Sequence, residues 1–204
     1  MKNSSFDKKY RFKESKVLEI FAQLLMAACD MKSRNAIHRD IKDKNIFICA
    51  DKSIRLGDFG AAHIKEETAI GTSTMIGTSE TMAPEVRFNK SGREYDTEID
   101  IYSIGVVVFQ LLYLVNYHDC LNKKLDPIEF DKRTDMSQEL YDILKLMLNR
   151  KHNRIDLQSI LKYQIIQDAV NKVARKYFFE EDGKTFKEIF PCDFINCVLN
   201  NLIF

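Results

Sequence analysis

The chain has 204 residues, 45% hydrophobic and 30% charged, which is typical of one globular domain with its own core. Its 31 basic and 30 acidic side chains nearly balance, so the charge favours neither a nucleic-acid partner nor a membrane surface. Five scattered cysteines without a C-x-x-C pair favour reduced thiols over a disulfide framework or a zinc site.

The sequence predicts no targeting or membrane-spanning segment. Residues 1–16 have no apolar core and therefore do not match a secretory signal. The longest apolar stretch, 104–115, is interrupted by Gln110 and is too short to cross a bilayer, so we interpret it as part of a core helix. We expect an intracellular protein, located in the cytoplasm, the nucleus or both.

The first third of the chain predicts one helix, one loop and one hairpin. Residues 1–13 are polar and are predicted to be disordered. Apolar side chains at helical spacing predict a helix over 14–32. The polar stretch HRDIKDKN, residues 38–45, follows as a loop. The segments 46–49 and 54–56 flank four turn-forming residues and predict a short β-hairpin.

The remainder is predicted to be one long loop followed by helices. Residues 58–85 are rich in Gly, Thr and Ser with little periodicity, which indicates a long functional loop. Residues 99–115 are apolar nearly all round and predict a central buried helix, whereas 137–148 and 157–179 are amphipathic and predict further helices. The predicted fold class is therefore mainly α, with one small hairpin beside the loop that carries the chemistry.

Several motifs occur in a fixed order along the chain. HRDIKDKN matches H-R-D-x-K-x-x-N at five positions, which chance would produce at about one start point in several million. A D-F-G triplet lies at the end of the predicted hairpin. The downstream motifs are Asp58-Phe59-Gly60, Ala83-Pro84-Glu85, Asp100 with Ser103 and Gly105, and Arg154.

In order, spacing and context, these motifs resemble the signature set of eukaryotic Ser/Thr protein kinases, over roughly residues 14–162. HRDIKDKNIFI followed by IRLGDFGAA is most similar to the NIMA-related (Nek) kinases. The resemblance implies an α+β kinase-like fold in which 14–162 form a helical C-terminal lobe and the N-terminal lobe is absent. Residues 163–204 would then be a C-terminal helical extension.

The resemblance implies a chemical role for each residue of the catalytic loop. Asp40 would accept the proton of a protein Ser or Thr hydroxyl, and Lys42 would offset negative charge that develops at the γ-phosphate of ATP. Asn45 and Asp58 would hold Mg²⁺ between the phosphates, because that ion prefers hard oxygen ligands. Phe47 would lie at the floor of the adenine site.

The resemblance assigns other motif residues to architecture. His38 would stack on Phe59, which precedes Gly60 of the D-F-G triplet. Asp100 would hydrogen-bond the backbone of the catalytic loop. Two residues would form a buried ion pair that anchors the end of the activation segment, Glu85 and Arg154.

The activation segment implied by the resemblance, residues 58–85, contains the candidate regulatory residues. Arg39 would pair with a phosphate on this segment and so order it. The candidate phosphorylation site is Thr74, with Ser73 and Thr72 as alternatives.

The end of the activation segment departs from the kinase pattern. Thr78 would contact Asp40 and Lys42. However, Ser79 stands where proline is usual, and Glu80-Thr81 stand where aromatic residues are usual. We therefore expect an altered peptide-substrate groove but an unaltered metal site.

The sequence lacks the motifs that hold ATP from above in a complete kinase. No two of its seven glycines are two positions apart, so it contains no G-x-G, and no V-A-x-K precedes the first helix. Three interpretations remain open: a truncated copy of a working kinase, a pseudokinase that acts as a binding module, and a lobe completed by another chain. In each case we expect these 204 residues alone to have no measurable kinase activity.

Two surfaces are candidate partner sites. One is the face of the lobe that would meet the N-terminal lobe, because its apolar residues would be exposed. The other is the segment 163–204, which is either an extra helical layer or a hydrophobic partner-binding surface. No nucleic-acid or membrane partner is expected.

Overall fold

The computed structural model describes residues 12–64, 80–87, 96–115 and 130–178. Its strands are short, and its helices make up most of the described residues. The helices are α1 (Glu14–Ser33), α2 (Pro84–Arg87), α3 (Glu98–Tyr113), α4 (Gln138–Met147), α5 (Leu157–Ile160) and α6 (Gln164–Phe178). The strands are β1 (Ala36–Ile37), β2 (Ile46–Ile48), β3 (Ile54–Leu56) and β4 (His63–Ile64).

Local chemistry explains where two of the helices begin. Glu14 starts α1, where its negative charge interacts favourably with the helix dipole. Its carboxylate also accepts a hydrogen bond of 2.6 Å from the backbone N–H of Ser137. Ser137 in turn caps α4, since its hydroxyl accepts from the N–H of Leu140. One polar contact therefore joins the starts of two helices that are far apart in sequence.

Helix α3 lies in the centre of the core, as its apolar sequence predicts. All of its residues from Ile99 to Phe109 are buried, and α1 and α4 pack against it. Gly105 makes the contact with α4 close: a methyl group at this position would lie 3.1 Å from Cβ of Met147. The absence of a side chain at Gly105 therefore sets the separation of the two helices.

The segment 157–179 differs from its prediction, because it forms two helices rather than one. Asp156 caps α5, and the N–H groups of Lys162 and Tyr163 then bond to carbonyls three residues back instead of four. The Tyr163 carbonyl starts α6 by accepting from Gln167. The apolar spacing continues through this turn, so periodicity does not reveal the break.

Helix α6 packs along α1 and its buried side chains join the same core as α3. Ile166, Val170 and Val173 are at most 1% exposed. The predicted domain boundary between 162 and 163 stays a prediction, but α6 itself is continuous in packing with the rest of the described residues.

The predicted hairpin is confirmed, and a second strand pair was missed. β2 and β3 are antiparallel with Ile46 opposite Leu56. β1 and β4 pair with Ala36 opposite Ile64, which ties the residues after the D-F-G triplet to the end of α1. Strands of two residues are too short to show alternation, so the sequence did not predict them.

Several predictions fall outside the described residues. These are the disorder of 1–11, the roles of Thr72, Ser73, Thr74, Thr78 and Ser79, and the part of the C-terminal extension from 179 to 204. Within the residues that the structure does describe, no helix is long and apolar enough to cross a membrane.

Candidate active site

The β2–β3 hairpin brings the two predicted metal ligands to one place. The strand pairing ends at Ile46 and Leu56, and the next hydrogen bond runs from the Gly57 N–H to the Asn45 carbonyl at 2.9 Å. Asn45 and Asp58 therefore flank the open end of the same hairpin. Asn45 is buried, whereas Asp58 is exposed.

The residues of the catalytic loop form one hydrogen-bonded cluster around Asp40. Lys42 Nζ donates to Asp40 Oδ2 at 2.7 Å. Asn45 Nδ2 donates to the same oxygen at 3.1 Å and to the backbone carbonyl of Asp40 at 2.8 Å. The Lys42 and Asp40 side chains are only 19% and 11% exposed, so solvent screens this pair less than a surface pair. The cluster fixes the orientation of the Asp40 carboxylate.

The same cluster leaves oxygen atoms for a cation. Because Asn45 uses its Nδ2 to bind Asp40, its amide oxygen is the remaining hard ligand. Together with the exposed Asp58 carboxylate, this donor set fits Mg²⁺, which takes one or two protein ligands and completes its shell with waters and phosphate oxygens. No group of three or more His, Cys, Asp or Glu side chains among the described residues forms an all-protein cage.

Asp100 anchors the backbone of the catalytic loop to helix α3. Its two carboxylate oxygens accept from the backbone N–H groups of His38 at 2.7 Å and Arg39 at 3.0 Å. Asp100 lies in the first turn of α3 and is buried. Burial raises its pKa to about 6, although the two N–H bonds and the charge of Arg39 act in the opposite direction.

His38 is locked in one tautomer by its neighbours. Its Nε2 lies 3.1 Å from the Gly57 carbonyl, which only accepts, and its Nδ1 accepts from the Asp40 N–H at 3.3 Å. The ring is therefore neutral, with the proton on Nε2. Burial also lowers the pKa of His38, which favours this neutral form. The His38 ring thus links the catalytic loop to the residue before Asp58.

The D-F-G triplet turns sharply at Asp58. Its backbone lies in the left-handed region (φ 61°, ψ 66°), which few non-glycine residues adopt, although Asp does so more readily than most. The following residue, Phe59, lies with its ring centroid 4.9 Å from that of His38 at an interplanar angle of 52°. A methyl group on Gly60 would lie 3.4 Å from Asp58 Oδ1, in ordinary van der Waals contact, so Gly60 lies directly beside this carboxylate.

Arg39 connects the catalytic loop to the start of the activation segment. Its backbone is also left-handed (φ 68°), and its Nε donates to the Ala61 carbonyl at 2.6 Å. The guanidinium therefore lies just after the D-F-G triplet. Its predicted phosphate partner lies outside the described residues.

Glu85 and Arg154 form a two-bond ion pair at the end of the activation segment, at 2.6 and 2.9 Å. The Arg154 side chain is fully buried, and it also donates to the carbonyls of Glu98 and Asn149. Its guanidinium lies 4.9 Å from the centre of the Tyr102 ring.

The residues where the sequence departs from the kinase pattern are partly described. Glu80 is exposed, whereas Thr81 is buried and its carbonyl accepts from the Ser103 hydroxyl at 2.9 Å. Ser103 also bonds the Ile99 carbonyl. The position of Thr81 is thus fixed by α3.

Two positioning residues were missed in the sequence. Gly57 permits the Phe47 ring to lie against its backbone, because a methyl group there would be 2.8 Å from Cε2 of Phe47. Gln23 is buried in α1, and its Oε1 accepts from the Ile54 N–H at 2.8 Å, which fastens the hairpin to the helix. The only sequence signal for Gln23 was its polar side chain on the buried face of a helix. The only signal for Gly57 was its position directly before Asp58.

Comparisons with known proteins found a matching family model and several similar proteins. The family model described as "Protein kinase domain" matches residues 1–166. The chain is 34% identical over 178 residues to Serine/threonine-protein kinase Nek1 of Mus musculus, which covers 84% of this chain. It is 30% identical over 165 residues to Serine/threonine-protein kinase Nek4 of the same species, covering 78% of the chain. It is also 30% identical over 164 residues to the Interferon-induced, double-stranded RNA-activated protein kinase of Rattus norvegicus, covering 76%.

These relatives are much longer than the matched region. The match spans 14% of Nek1, 20% of Nek4 and 31% of the rat protein. The chain therefore corresponds to a minor part of each of these relatives.

Proposed function

The chain belongs to the protein kinase family and is similar to its Nek-type Ser/Thr members, and on that basis we propose the following activity for its site. Residues 38–58 supply the part of an active site that belongs to the C-terminal lobe of a kinase. This site transfers the γ-phosphate of ATP to a Ser or Thr hydroxyl of a protein. One observation carries this proposal: Asp40, Lys42 and Asn45 form a single hydrogen-bonded cluster next to the hairpin end that bears Asp58.

In the proposed reaction Asp40 accepts the proton of the substrate hydroxyl. Phosphoryl transfer depends mainly on positioning and on charge stabilisation, so the base has to be oriented before the substrate arrives. Lys42 and Asn45 hold one oxygen of the Asp40 carboxylate, and Asp100 holds the backbone on the N-terminal side of Asp40. The base is therefore fixed from two directions.

The cations of the site complement the phosphates of ATP. Lys42 Nζ would stabilise the charge of the transferred group, and Asn45 and Asp58 would hold Mg²⁺. When bound, Mg²⁺ neutralises negative charge on the phosphate oxygens. Phe47 offers an apolar face, 55% exposed, for the adenine ring.

We further propose that these 204 residues alone do not transfer phosphate. The described part of the site is open on the side of Asp58 and Phe47, both of which are exposed. Electrostatic stabilisation is weak in a site from which water is not excluded. The sequence contains no G-x-G of the kind that covers the phosphates in a complete kinase.

A second candidate function is that of a pseudokinase that binds a protein partner. It is favoured by the exposure of large apolar side chains on the face that bears the site, including Phe47 at 55% and Phe59 at 54%. The replacement of the usual aromatic residues by Glu80 and Thr81 favours the same function.

Nucleotide binding separates the two functions. We expect Mg-ATP to raise the melting temperature of the purified chain, since a ligand that binds only the folded state stabilises it. Asp58→Asn should abolish this shift, and the exposed control Asp131→Asn should retain it. Absence of a shift in the unaltered chain would instead favour the pseudokinase.

Transfer of labelled γ-phosphate to casein tests the proposed inactivity. We expect no transfer above background from the 204-residue chain. Transfer that disappears in Asp40→Asn would show that these residues suffice for catalysis and would overturn this part of the proposal.

A further inference from the structure

A groove of about 750 Å³ lies between α1, strands β3 and β4, and the end of α6. Its walls include Met26 and Ala27 of α1, Leu56 of β3, Ile64 of β4 and Tyr177 of α6. This volume lies in the range of sites that hold a ligand or several side chains of a partner. The groove is separate from the Asp40 cluster, although Phe59 of the D-F-G triplet forms part of its wall.

The groove exposes apolar surface that a folded protein normally covers. Ile64 is 63% exposed and Phe59 is 54% exposed, and both lie in its wall. Isolated exposed apolar residues are common, but a concave patch that contains two of them marks a binding surface. The question is which segment or molecule covers it.

The end of α6 places the following chain segment at the groove. Tyr177 lines the groove, and its hydroxyl lies 2.6 Å from Glu19 Oε1 and 3.2 Å from the Lys52 carbonyl. These contacts fix the last turn of α6 against α1 and the hairpin. Residues 179–204 therefore start two positions after a residue of the groove wall.

The sequence of this segment is suited to an apolar groove. After Pro191, apolar side chains recur at three- and four-residue spacing, which predicts an amphipathic helix over 194–203. Ten helical residues extend about 15 Å. The fifteen residues 179–193 reach up to about 50 Å when extended, which is enough to return the helix to the groove. The apolar residues are Phe194, Ile195, Val198, Leu199, Leu202 and Ile203.

Charge at the groove rim also suits this segment. Arg34 and Arg55 are exposed and line the groove. Of the acidic residues there, Asp30 pairs with Arg34 at 3.1 Å and Asp51 accepts from the Ser53 hydroxyl and N–H. The segment carries the acidic run Glu180-Glu181-Asp182, which starts two residues after the end of α6. The two arginines and the acidic run carry opposite charges, which favours attraction between the groove rim and the segment.

We propose that residues 194–203 dock into this groove on the same molecule and cover Ile64 and Phe59. The docked segment contacts the Phe59 ring on the side away from His38, so it braces the D-F-G triplet. This assignment depends on the groove and the sequence of the segment, and it holds whether or not the site binds ATP.

Hydrogen exchange of the full chain, read by mass spectrometry, tests the proposal. We expect amides of 194–203 to exchange at least about tenfold slower than in an unfolded peptide. Ile64→Lys places a charge in the groove and should restore fast exchange. Ile48→Lys is the matched control, because Ile48 is 78% exposed and lies outside the groove, and it should change nothing. Protection of α1 amides verifies that each variant is folded.

Three results would overturn the proposal. The first is exchange of 194–203 at the unfolded rate in the unaltered chain. The second is protection that survives Ile64→Lys, which would place the segment elsewhere as a helical layer. The third is protection that disappears on dilution together with a dimer mass, which would make a second copy the occupant.

A substitution in the segment gives an independent readout from the groove side. Leu199→Lys leaves the groove residues unchanged and should speed exchange of the peptide covering 54–64 by about tenfold. Unchanged exchange of that peptide would contradict docking even if the Ile64 variant failed to fold.

Discussion

Arg154 donates to both carboxylate oxygens of Glu85, at 2.6 Å and 2.9 Å, and no part of its side chain is exposed. The pair joins α2, at the end of the activation segment, to a residue three positions before the start of α5. Because Arg154 also bonds the carbonyls of Glu98 and Asn149, its position does not depend on Glu85 alone. Its charge, however, is balanced only by Glu85 among the ion pairs of the described residues.

We predict that Glu85→Ala lowers the free energy of unfolding by about 3 kcal/mol or more, since a buried charge that loses its partner typically costs about 3–5 kcal/mol. Urea denaturation measures this loss. The control is Asp30→Ala, which removes an exposed pair with Arg34 and should cost about 1 kcal/mol or less. Equal losses in the two variants would contradict the role of Glu85 as the partner of a buried charge.

Asp100 should give the protein an unusual dependence on pH. Burial raises its pKa from 3.8 to about 6. The folded state therefore holds this proton more tightly than the unfolded state between these two values, and stability falls as the pH rises through that window. A difference of two pKa units corresponds to about 3 kcal/mol.

The measurement compares the chain with Asp100→Asn across pH 4 to 7. The Asn side chain does not titrate. The difference in stability between the two proteins at each pH therefore isolates the contribution of Asp100, because the contributions of all other groups cancel. We predict that the free energy of unfolding of the unaltered chain, relative to the variant, decreases by up to about 3 kcal/mol as the pH rises. A relative stability that rose with pH would show that the bonds from His38 and Arg39 outweigh burial.

Glu19 should give stability the opposite dependence on pH. Burial works against its ionisation, but hydrogen bonds from Lys176 and Tyr177 and the charges of Lys16 and Lys176 lower its pKa from 4.5 to about 2. The stability it contributes is complete above pH 4.5 and is lost as the pH falls toward 2. Lys176 is 46% exposed, so screening reduces the contribution to about 1–2 kcal/mol.

Acid unfolding of Glu19→Gln checks this prediction. The variant should be less stable than the unaltered chain at pH 6 and nearly equal to it at pH 2. Because Glu19 joins α1 to the last turn of α6, the same variant should also loosen the end of α6 in hydrogen exchange. A gap in stability that persisted at pH 2 would mean that packing, rather than charge, makes the contribution.

The distance between residues in sequence decided what could be predicted. Asp40, Lys42 and Asn45 lie within six positions, so the resemblance of this one short motif to the kinase pattern was enough to assign them to one site. The β1–β4 pair joins two-residue strands that are separated by the catalytic loop and the β2–β3 hairpin, and no local pattern encodes it. The turn at 161–163 was also hidden, since Leu161 is buried and continues the apolar spacing of the helices on either side. The buried role of Gln23 depends on a partner in the hairpin, which only the folded chain identifies.

Side chains pack closely against two of the glycines. A methyl group on Gly57 would lie 2.8 Å from the Phe47 ring, and one on Gly105 would lie 3.1 Å from Cβ of Met147. Phe47 is 55% exposed and its ring can rotate away, whereas Met147 is fully buried between α3 and α4. We therefore predict that Gly105→Ala costs about 1–3 kcal/mol of stability, as overpacked cores do.

Gly57→Ala should instead cost less than about 1 kcal/mol, because surface side chains adjust with little loss. The displaced Phe47 ring would no longer form the proposed adenine floor, so the thermal shift with Mg-ATP should fall while the melting temperature without nucleotide stays nearly constant. Thermal unfolding of both variants with and without Mg-ATP measures the four values. A large loss of stability in Gly57→Ala, or a full nucleotide shift in it, would remove Phe47 from the proposed adenine site.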